Sequence, residues 1–193
     1  MPEVTTRYAA IRDAALELFA RDGYPATTMA DLGAAVGMRG PSLYKHVASK
    51  QDLLARIMLD TMTALREANR VAVRGSTDPT VRLRRAAEAH VRYHARHRLE
   101  AFVGNRELRS LEEPHRKRVL SSRAAYERRF RTLVSDGVRA GRFDVPSTRL
   151  ASYAILDLGM GVAAWYREDG ELTEDEIVWQ YGDLALRIVG VRS

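Results

Sequence analysis

Glycine and proline turn signals divide this 193-residue sequence into about nine segments, and most segments carry apolar residues at helical spacing. In the first segment, Tyr8, Ile11, Ala15, Leu18 and Phe19 form one apolar face. No segment shows the apolar–polar alternation of a half-buried strand, and no internal repeat is present. The pattern therefore predicts an all-α fold. Beyond the third segment, helices are predicted from Ser49 to about residue 74 and near 79–97, 100–111, 113–139, 147–167 and 173–190.

The composition is that of a globular protein, with 46% apolar and 29% charged residues. The chain has no cysteine, which excludes disulfides and thiolate sites and fits a reducing compartment. The N-terminal MPEVTTRYAA lacks the apolar core of a signal peptide. The longest run of apolar residues and glycine, residues 158–166, is far shorter than the roughly 20 residues of a membrane-spanning helix. We therefore expect a cytoplasmic protein without a membrane partner.

The net charge of +6 is unevenly distributed along the chain. Residues 66–142 carry twenty Lys and Arg against nine Asp and Glu. Such a basic segment suggests an anionic partner, although arginine-rich helix faces are more often simply solvated.

Residues 26–50 have the features of two short helices joined by a tight glycine turn, the minimum frame of a helix-turn-helix. Thr27 or Thr28 can cap the first helix, Gly37 ends it, and Pro41 suits the first turn of the second. The alternative is a core helical pair with incidental surface charge. Residues 37–50 contain no acidic residue. An apolar core of Leu32, Val36, Leu43 and Val47 leaves outside the hydrogen-bond donors of Arg39, Ser42, Tyr44, Lys45 and His46.

Residues 7–54 resemble the DNA-binding domain of the TetR/AcrR family of bacterial regulators, through the stretch AALELFARDGYPATTMADLGAAVGMRGPSLYKHVASKQDLL. The resemblance implies a helix-turn-helix DNA-binding domain over residues 1–50 and an effector-binding and dimerisation domain over 51–193. Gly33 and Val47 stand where the family more commonly has alanine and phenylalanine, and both affect packing alone.

The same resemblance implies roles for individual residues. The helix holding PSLYKHV would enter the major groove, with Tyr44 on a phosphate, Lys50 anchoring the DNA backbone, and Thr28 on a phosphate at the start of the second helix. The residues nearest the bases or sugars would be Arg39, Gly40, Pro41, Ser42, Lys45 and His46.

Family members work as dimers on palindromic sites, and the resemblance places the dimer interface on the last two helices. Residues 150–166 are apolar nearly all round, which predicts burial of more than one face. Gly159 and Gly161 would permit close approach, and the lone Asp157 is expected to pair with an arginine or cap a polar contact. The alternative is a core helix in a monomer. The candidate interface residues are Leu150, Tyr153, Ile177, Tyr181, Leu184 and Ile188.

The final stretch WYREDGELTEDEIVWQYGDLALRIVG, residues 165–190, resembles more loosely a subgroup that responds to acyl-coenzyme A thioesters. The basic middle segment would suit the phosphates of coenzyme A. The sequence leaves two alternatives open, another apolar effector or no small effector at all, and we expect no cofactor. The candidate effector-binding residues are Tyr93, His97, Phe102, Arg106, Tyr126, Arg129, Leu158 and Trp165.

The stretch HVRYHARH places His90, His94 and His97 on one helix face. Imidazoles one turn apart can share a metal ion, but three from one straight helix make a stretched site. We therefore expect no metal and favour polar residues that line a pocket or the surface. The sequence has no G-x-S-x-G, phosphate-loop, H-E-x-x-H or nucleotide-binding glycine motif, so we expect no catalytic residues and no enzyme.

Together these features predict a homodimeric, ligand-responsive transcriptional regulator. It would be a repressor that a small apolar effector, for example an acyl-coenzyme A thioester, releases from a palindromic DNA operator. The alternative is a DNA-binding chromosome-organising protein without a small-molecule effector.

Overall fold

A computed structural model describes residues 2–191, and these form nine α-helices and one 3-10 helix without any strand. The predicted all-α class is confirmed, and the predicted helices after residue 79 agree with the observed bounds to within a few residues. The helices are α1 (Pro2–Arg21), α2 (Met29–Ala35), α3 (Gly40–Leu43), α4 (Lys50–Ala72), α5 (Pro79–Arg96), α6 (Arg98–Arg106), the 3-10 helix (Glu107–Ser110), α7 (His115–Arg139), α8 (Thr148–Trp165) and α9 (Glu174–Ile188).

Polar side chains cap the helices where the sequence places turn signals. The Asp78 carboxylate accepts hydrogen bonds from the backbone N–H groups of Thr80, at 2.8 Å, and Val81, at 3.0 Å. Ser49 precedes α4, and its hydroxyl accepts the Asp52 N–H at 3.0 Å. These bonds satisfy N–H groups that have no partner inside a helix, so they set where each helix begins.

The third helix is shorter than predicted. It begins at Gly40, with Arg39 as its N-cap, and its α-helical part ends at Leu43 after four residues. The chain then continues in tighter turns, because the Lys45 and His46 N–H groups donate to carbonyls only three residues back. The segment PSLYKHV is therefore one α-helical turn followed by a turn, not a continuous α-helix.

The chain divides into two compact units. The first unit comprises the residues up to Thr61 together with Leu99–Ser121, and the second comprises Met62–Arg98 together with the described residues from Ser122 onward. The boundary predicted at residue 50 concerns function and stays a prediction. The first core joins residues of α1 to α4 with residues after α5; its fully buried side chains include Ile11, Phe19, Leu32, Leu43, Leu54, Val103 and Val119.

In the second unit, α5 packs closely against α8 and α9. Glycines permit both approaches. A Cβ at Gly159 of α8 would lie 2.4 Å from the His90 ring, and one at Gly182 of α9 would lie 2.8 Å from a carboxylate oxygen of Glu88. The close approach expected of Gly159 is thus made to α5 of the same chain.

His90 lies in this core as a neutral imidazole. Its Nε2 donates to the Leu156 carbonyl at 3.0 Å, so Nδ1, 3.1 Å from the Tyr126 hydroxyl, accepts from it. Burial lowers the pKa of His90 to about 4. His94 packs edge-on against His90, with ring centroids 4.5 Å apart, and burial holds the pKa of His94 well below its ordinary value.

The three-histidine face therefore has a packing role in the structure. Both nitrogens of His90 are occupied, and the half-buried His97 stacks on Tyr93 with ring centroids 4.3 Å apart. Within the described residues, no group of three or more His, Asp or Glu side chains is placed to hold a metal ion. Across the same part of the chain, no helix has both the length and the apolar character needed to cross a membrane.

The buried histidines make stability depend on pH. Their folded pKa values lie below the unfolded value near 6.5, so the unfolded chain binds more protons in acid. We expect full stability at neutral pH and a loss of about 1.4 kcal/mol per pH unit for each neutral imidazole as pH falls from about 6.5 toward 4. Urea unfolding at several pH values measures this slope.

His94→Leu removes one titrating group. It should reduce the slope of the free energy of unfolding against pH, between about pH 6.5 and 4, by about the contribution of one proton, while leaving the slope between pH 7 and 8 unchanged. An unaltered acid slope in His94→Leu would show that His94 is protonated in the folded protein.

Candidate nucleic-acid interface

Thr28 begins α2 through a capping box with Asp31. Its hydroxyl oxygen accepts the Asp31 N–H at 3.1 Å and donates to the Asp31 carboxylate at 2.7 Å, while the Thr28 N–H donates to the same carboxylate at 2.8 Å. These bonds lower the pKa of Asp31. The exposed Thr28 hydroxyl is thus engaged within its own helix, so a phosphate there would replace the carboxylate as its partner.

The turn from α2 to α3 depends on two glycines. Gly33 lies against the turn so closely that a Cβ would be 2.8 Å from the Met38 carbonyl oxygen. Gly37 has a φ of +64°, a left-handed conformation that other residues adopt at a cost. Gly33, which stands where the family more commonly has alanine, is therefore required by the packing of this chain. Leu43 lies beside Gly33 and is fully buried, which holds α3 against α2.

This packing turns the predicted contact residues outward. Arg39, Gly40, Pro41 and Lys45 are exposed, and the Tyr44 side chain is 54% exposed. Several arginines of the first unit form ion pairs with neighbouring acids, as Arg12–Asp13, Arg21–Asp22 and Arg56–Asp60 do. By contrast, Arg39 and Lys45 have no acidic partner among residues 2–191, so their charge is available to an anionic ligand.

Two of the predicted contact residues are less open than expected. Ser42 and His46 are half-buried, and the His46 Nδ1 is buried without a hydrogen-bond partner in the described chain. The part of His46 that can meet DNA is therefore limited to the other side of its ring.

Lys50 has an intramolecular role that the sequence does not reveal. Its Nζ donates to the carbonyls of Tyr24, at 2.8 Å, and Thr27, at 2.6 Å, and lies 4.4 Å from the centre of the Tyr24 ring. The ammonium group therefore closes the turn between α1 and α2 and positions the N-terminus of α2. Lys50 was expected to anchor the DNA backbone. In the protein without DNA, its ammonium group instead forms a clamp on the α1–α2 turn of its own chain.

A second missed feature is the segment that joins α6 to α7. The Tyr24 N–H donates to the buried Glu107 carboxylate at 3.4 Å, and the Ser110 hydroxyl donates to it at 2.7 Å. Gln51 Nε2 donates to the Ser110 carbonyl at 2.8 Å, and Gln51 Oε1 accepts the Glu112 N–H at 3.1 Å. This segment is thus hydrogen-bonded both to the α1–α2 turn and to the start of α4. Its residue types alone carry no signal for such contacts.

The eight effector candidates do not form one cluster. Phe102 and Arg106 belong to the first unit, where the Arg106 guanidinium lies 5.5 Å from the Phe102 ring. The other six belong to the second unit. Tyr93 and His97 stack on each other, and the Tyr126 hydroxyl is hydrogen-bonded to His90. Arg129 is exposed, and its guanidinium donates to Asn69. Leu158 and Trp165 are exposed on α8.

The dimer candidates separate by exposure. Ile177 is only 2% exposed and packs within its own core, while Tyr181 and Ile188 are half-buried. Leu150, at 66% exposure, and Leu184 face outward. Helical spacing places most exposed residues of α8 on one face: Leu150, Tyr153, Ala154, Asp157, Leu158, Gly161, Ala164 and Trp165. Asp157 is thus exposed, and within residues 2–191 it makes neither the expected arginine pair nor the alternative polar contact.

Family profiles match both parts of the chain. The profile described as "Bacterial regulatory proteins, tetR family" matches residues 11–57, and the one described as "Tetracyclin repressor-like, C-terminal domain" matches residues 76–189.

Similar proteins cover nearly the whole chain. The HTH-type transcriptional repressor KstR2 of Mycobacterium tuberculosis is 25% identical over 191 residues, which is 98% of this chain and 94% of that protein. The crystal structure of a bacterial regulatory protein in the tetR family from Rhodococcus RHA1 has 33% identity and a TM-score of 0.89, covering 96% of this chain and 98% of that one. AibR, solved with isovaleryl coenzyme A and operator DNA, has 24% identity and a TM-score of 0.81 over 95% of this chain and 97% of that one, a similarity of fold alone.

The clamp predicts a stability role for Lys50 in the absence of DNA. Lys50→Met should lose about 2–3 kcal/mol of stability, because the hydrogen bonds from a charged donor to Tyr24 and Thr27, and a longer one to Pro25, are removed and the carbonyls of the α1–α2 turn lose their partner. Lys45→Met is the matched control, since Lys45 is exposed and its replacement should change stability by less than about 0.5 kcal/mol. Urea unfolding of the DNA-free proteins compares them, and equal stabilities would contradict the clamp.

Proposed function

The chain belongs to the TetR family of bacterial regulatory proteins, and we propose that it is a homodimeric repressor that a small effector releases from palindromic operator DNA. The observation that carries the DNA-binding part is the outward surface of α3 and the residues that flank it. Arg39 before α3, and Tyr44 and Lys45 after it, present hydrogen-bond donors without an acidic partner in the described chain, on a turn held by buried Leu43. Its place of action is the cytoplasm, where operator DNA lies.

Roles on DNA follow from reach and chemistry. The exposed Tyr44 hydroxyl suits a phosphate, and the flexible Lys45 ammonium suits the acceptor atoms of a base edge in the major groove. The base-facing surface would be completed by Arg39, Gly40, Pro41 and Ser42. Thr28, His46 and Lys50 would contribute less directly, because each is engaged or partly buried in its own fold.

The exposed face of α8 supports a dimer. Large apolar side chains exposed on one helix face mark an interaction surface, and a two-fold interface uses the same patch on both subunits. On α9, Leu184 is exposed on the side away from the core. A dimer would present two copies of α3, which suits half-sites about 34 Å apart. The proposed interface comprises Leu150, Tyr153, Leu158, Trp165 and Leu184, with Tyr181 and Ile188 at its edge.

Effector binding is proposed for the second unit. Its cluster of Tyr93, His97 and Tyr126 combines aromatic surface with polar groups, as small-molecule sites do. The isovaleryl coenzyme A bound by AibR makes an acyl-coenzyme A thioester one candidate for this chain, and another apolar metabolite is the second.

Helices that continue from one unit into the other offer a route by which effector binding could regulate DNA binding. The unit boundaries fall inside α4, α6 and α7, so each of these helices belongs partly to both units. The segment after α6 is also hydrogen-bonded to Tyr24 and Gln51 beside the helix-turn-helix. An effector would release DNA by binding more tightly to a conformation in which the two α3 helices no longer fit successive major grooves.

Operator binding tests the DNA-binding proposal. After selection of a palindromic operator, log affinity should fall linearly with log salt, because phosphate contacts release counterions. Tyr44→Ala should weaken binding to all operator variants by a similar factor. Lys45→Ala should lose about 1–3 kcal/mol of discrimination at particular base pairs, as a base-reading side chain does. Fluorescence titrations across operator variants measure both effects.

An unchanged base preference in Lys45→Ala would exclude base reading by Lys45, and a salt-independent affinity would exclude the phosphate contacts. Uniform coating of DNA without a palindromic footprint would instead favour a chromosome-organising protein.

The dimer has its own test. Leu150→Glu combined with Leu184→Glu should raise the dimer dissociation constant at least about a hundredfold, because charges are placed in an apolar interface. Val81→Glu combined with Val138→Glu is the matched control, since these exposed valines lie on α5 and α7. Analytical ultracentrifugation distinguishes the two, and dimers of equal strength in both variants would refute the interface.

A further inference from the structure

A cleft of about 300 Å³ opens in the second unit, between the end of α4, the start of α5 and the middle of α7. Its floor is apolar, because Leu133 is buried in the core and Val73 packs against the same core. Its polar lining comes from Asn69, Arg82, Arg129 and Thr132. The cleft thus combines an apolar base with two guanidinium groups, which is a common composition for a site that binds an anionic group.

Asn69 is the buried element of this lining, with 1% of its surface exposed. Its Oδ1 accepts hydrogen bonds from Arg129 Nε, at 3.4 Å, and Nη2, at 3.3 Å. Because a guanidinium group can only donate, these bonds settle the orientation of the amide. The Asn69 Nδ2 is then a buried donor without a hydrogen-bond partner in the described chain. Such a group is costly in a fold, so an acceptor that fills the cleft would relieve it.

The charge of the lining also favours an acceptor. Arg82 reaches Asp136 only at 3.7 Å, and the same carboxylate forms an ion pair with Arg139, so one acid serves two cations. The Thr132 hydroxyl donates to the Arg128 carbonyl at 2.9 Å. No carboxylate lines the cleft itself. Two guanidinium groups and the unpartnered Asn69 Nδ2 therefore converge there, and no carboxylate in the lining balances their charge.

We propose that this cleft binds an oxyanion, a phosphate or carboxylate group, between the guanidinium groups of Arg82 and Arg129 with the Asn69 amide as a neutral donor. Such groups only accept hydrogen bonds and match the planar fork of arginine. The inference deepens the proposed function, because the oxyanion would be the charged end of the effector or a separate ion that acts with it. Binding itself does not require DNA, so the two ideas can fail separately.

The test titrates full-length protein with inorganic phosphate at constant ionic strength, followed by calorimetry and by the nuclear magnetic resonance signal of the Asn69 side-chain amide. The native protein should show saturable binding and a shift of that signal. Arg129→Met should weaken phosphate binding at least about tenfold, since it removes a charge-assisted hydrogen-bond donor while keeping the length of the side chain. Asn69→Asp, which places a carboxylate in the cleft, should abolish it.

Arg128→Met is the matched control. Arg128 is the exposed arginine next to Arg129 on α7, and it does not line the cleft. Its replacement should leave phosphate affinity within about twofold of native, as expected for a surface position away from the site. Thermal unfolding of each variant verifies folding, and the exposed position of Arg129 makes Arg129→Met informative even where Asn69→Asp does not fold.

Parallel titrations with acetate, butyrate and propyl phosphate identify the source of the oxyanion. Tighter binding of the organic anions than of inorganic phosphate supports the cleft as the charged end of an effector site. Equal binding supports it as an ion site. The proposal is overturned if Arg129→Met binds phosphate as tightly as the native protein, or if the native protein shows no saturable binding. Failure of native protein to bind any operator would overturn the proposed function and leave the titration result valid.

Discussion

The recognition surface depends on one close contact, the approach of α2 to the chain that leads into α3. Gly33 lies so near the Met38 carbonyl that it has no room for a side chain, and Leu43 fills the space beside it. This packing is what turns Tyr44 and Lys45 to the outside. A larger residue at position 33 would move the turn and with it the proposed DNA contacts that follow Met38. The small core therefore positions the donors proposed to meet DNA.

A second set of contacts fixes the turn between α1 and α2, which leads into the helix-turn-helix. The Lys50 ammonium closes the α1–α2 turn through carbonyl oxygens, and Glu107 receives the Tyr24 N–H from the same turn. These are charged groups used within the fold, in contrast to Arg39 and Lys45, which have no acidic partner in the described chain. The distinction separates positioning residues from candidate contact residues. It also gives the segment after α6 a physical link to the helix-turn-helix.

The second unit follows a similar rule, in which glycines decide which helices approach. Gly159 admits the His90 ring, so α8 packs on α5 with one face and leaves the opposite face exposed. The apolar character of α8 on all sides predicted burial of more than one face. Within the described chain one face is buried and the opposite face is exposed, so burial of the second face stays a prediction that rests on the proposed dimer. Ile177 faces the core and Leu184 does not, although both belong to the same apolar stripe in the sequence. Periodicity alone cannot make that distinction, because it does not say where the neighbouring helices lie.

The sequence by itself determined the helical class, most helix limits, a cap of α2 at Thr27 or Thr28, and the short core beneath α3. These features arise from local rules, since caps, turns and apolar spacing act over a few residues. The tertiary structure decided the role of Lys50, the burial of His90 and Asn69, and the separation of the effector candidates between two units. Each of these depends on partners tens of residues away, whose proximity is set by packing of the whole chain and leaves no mark in the local sequence.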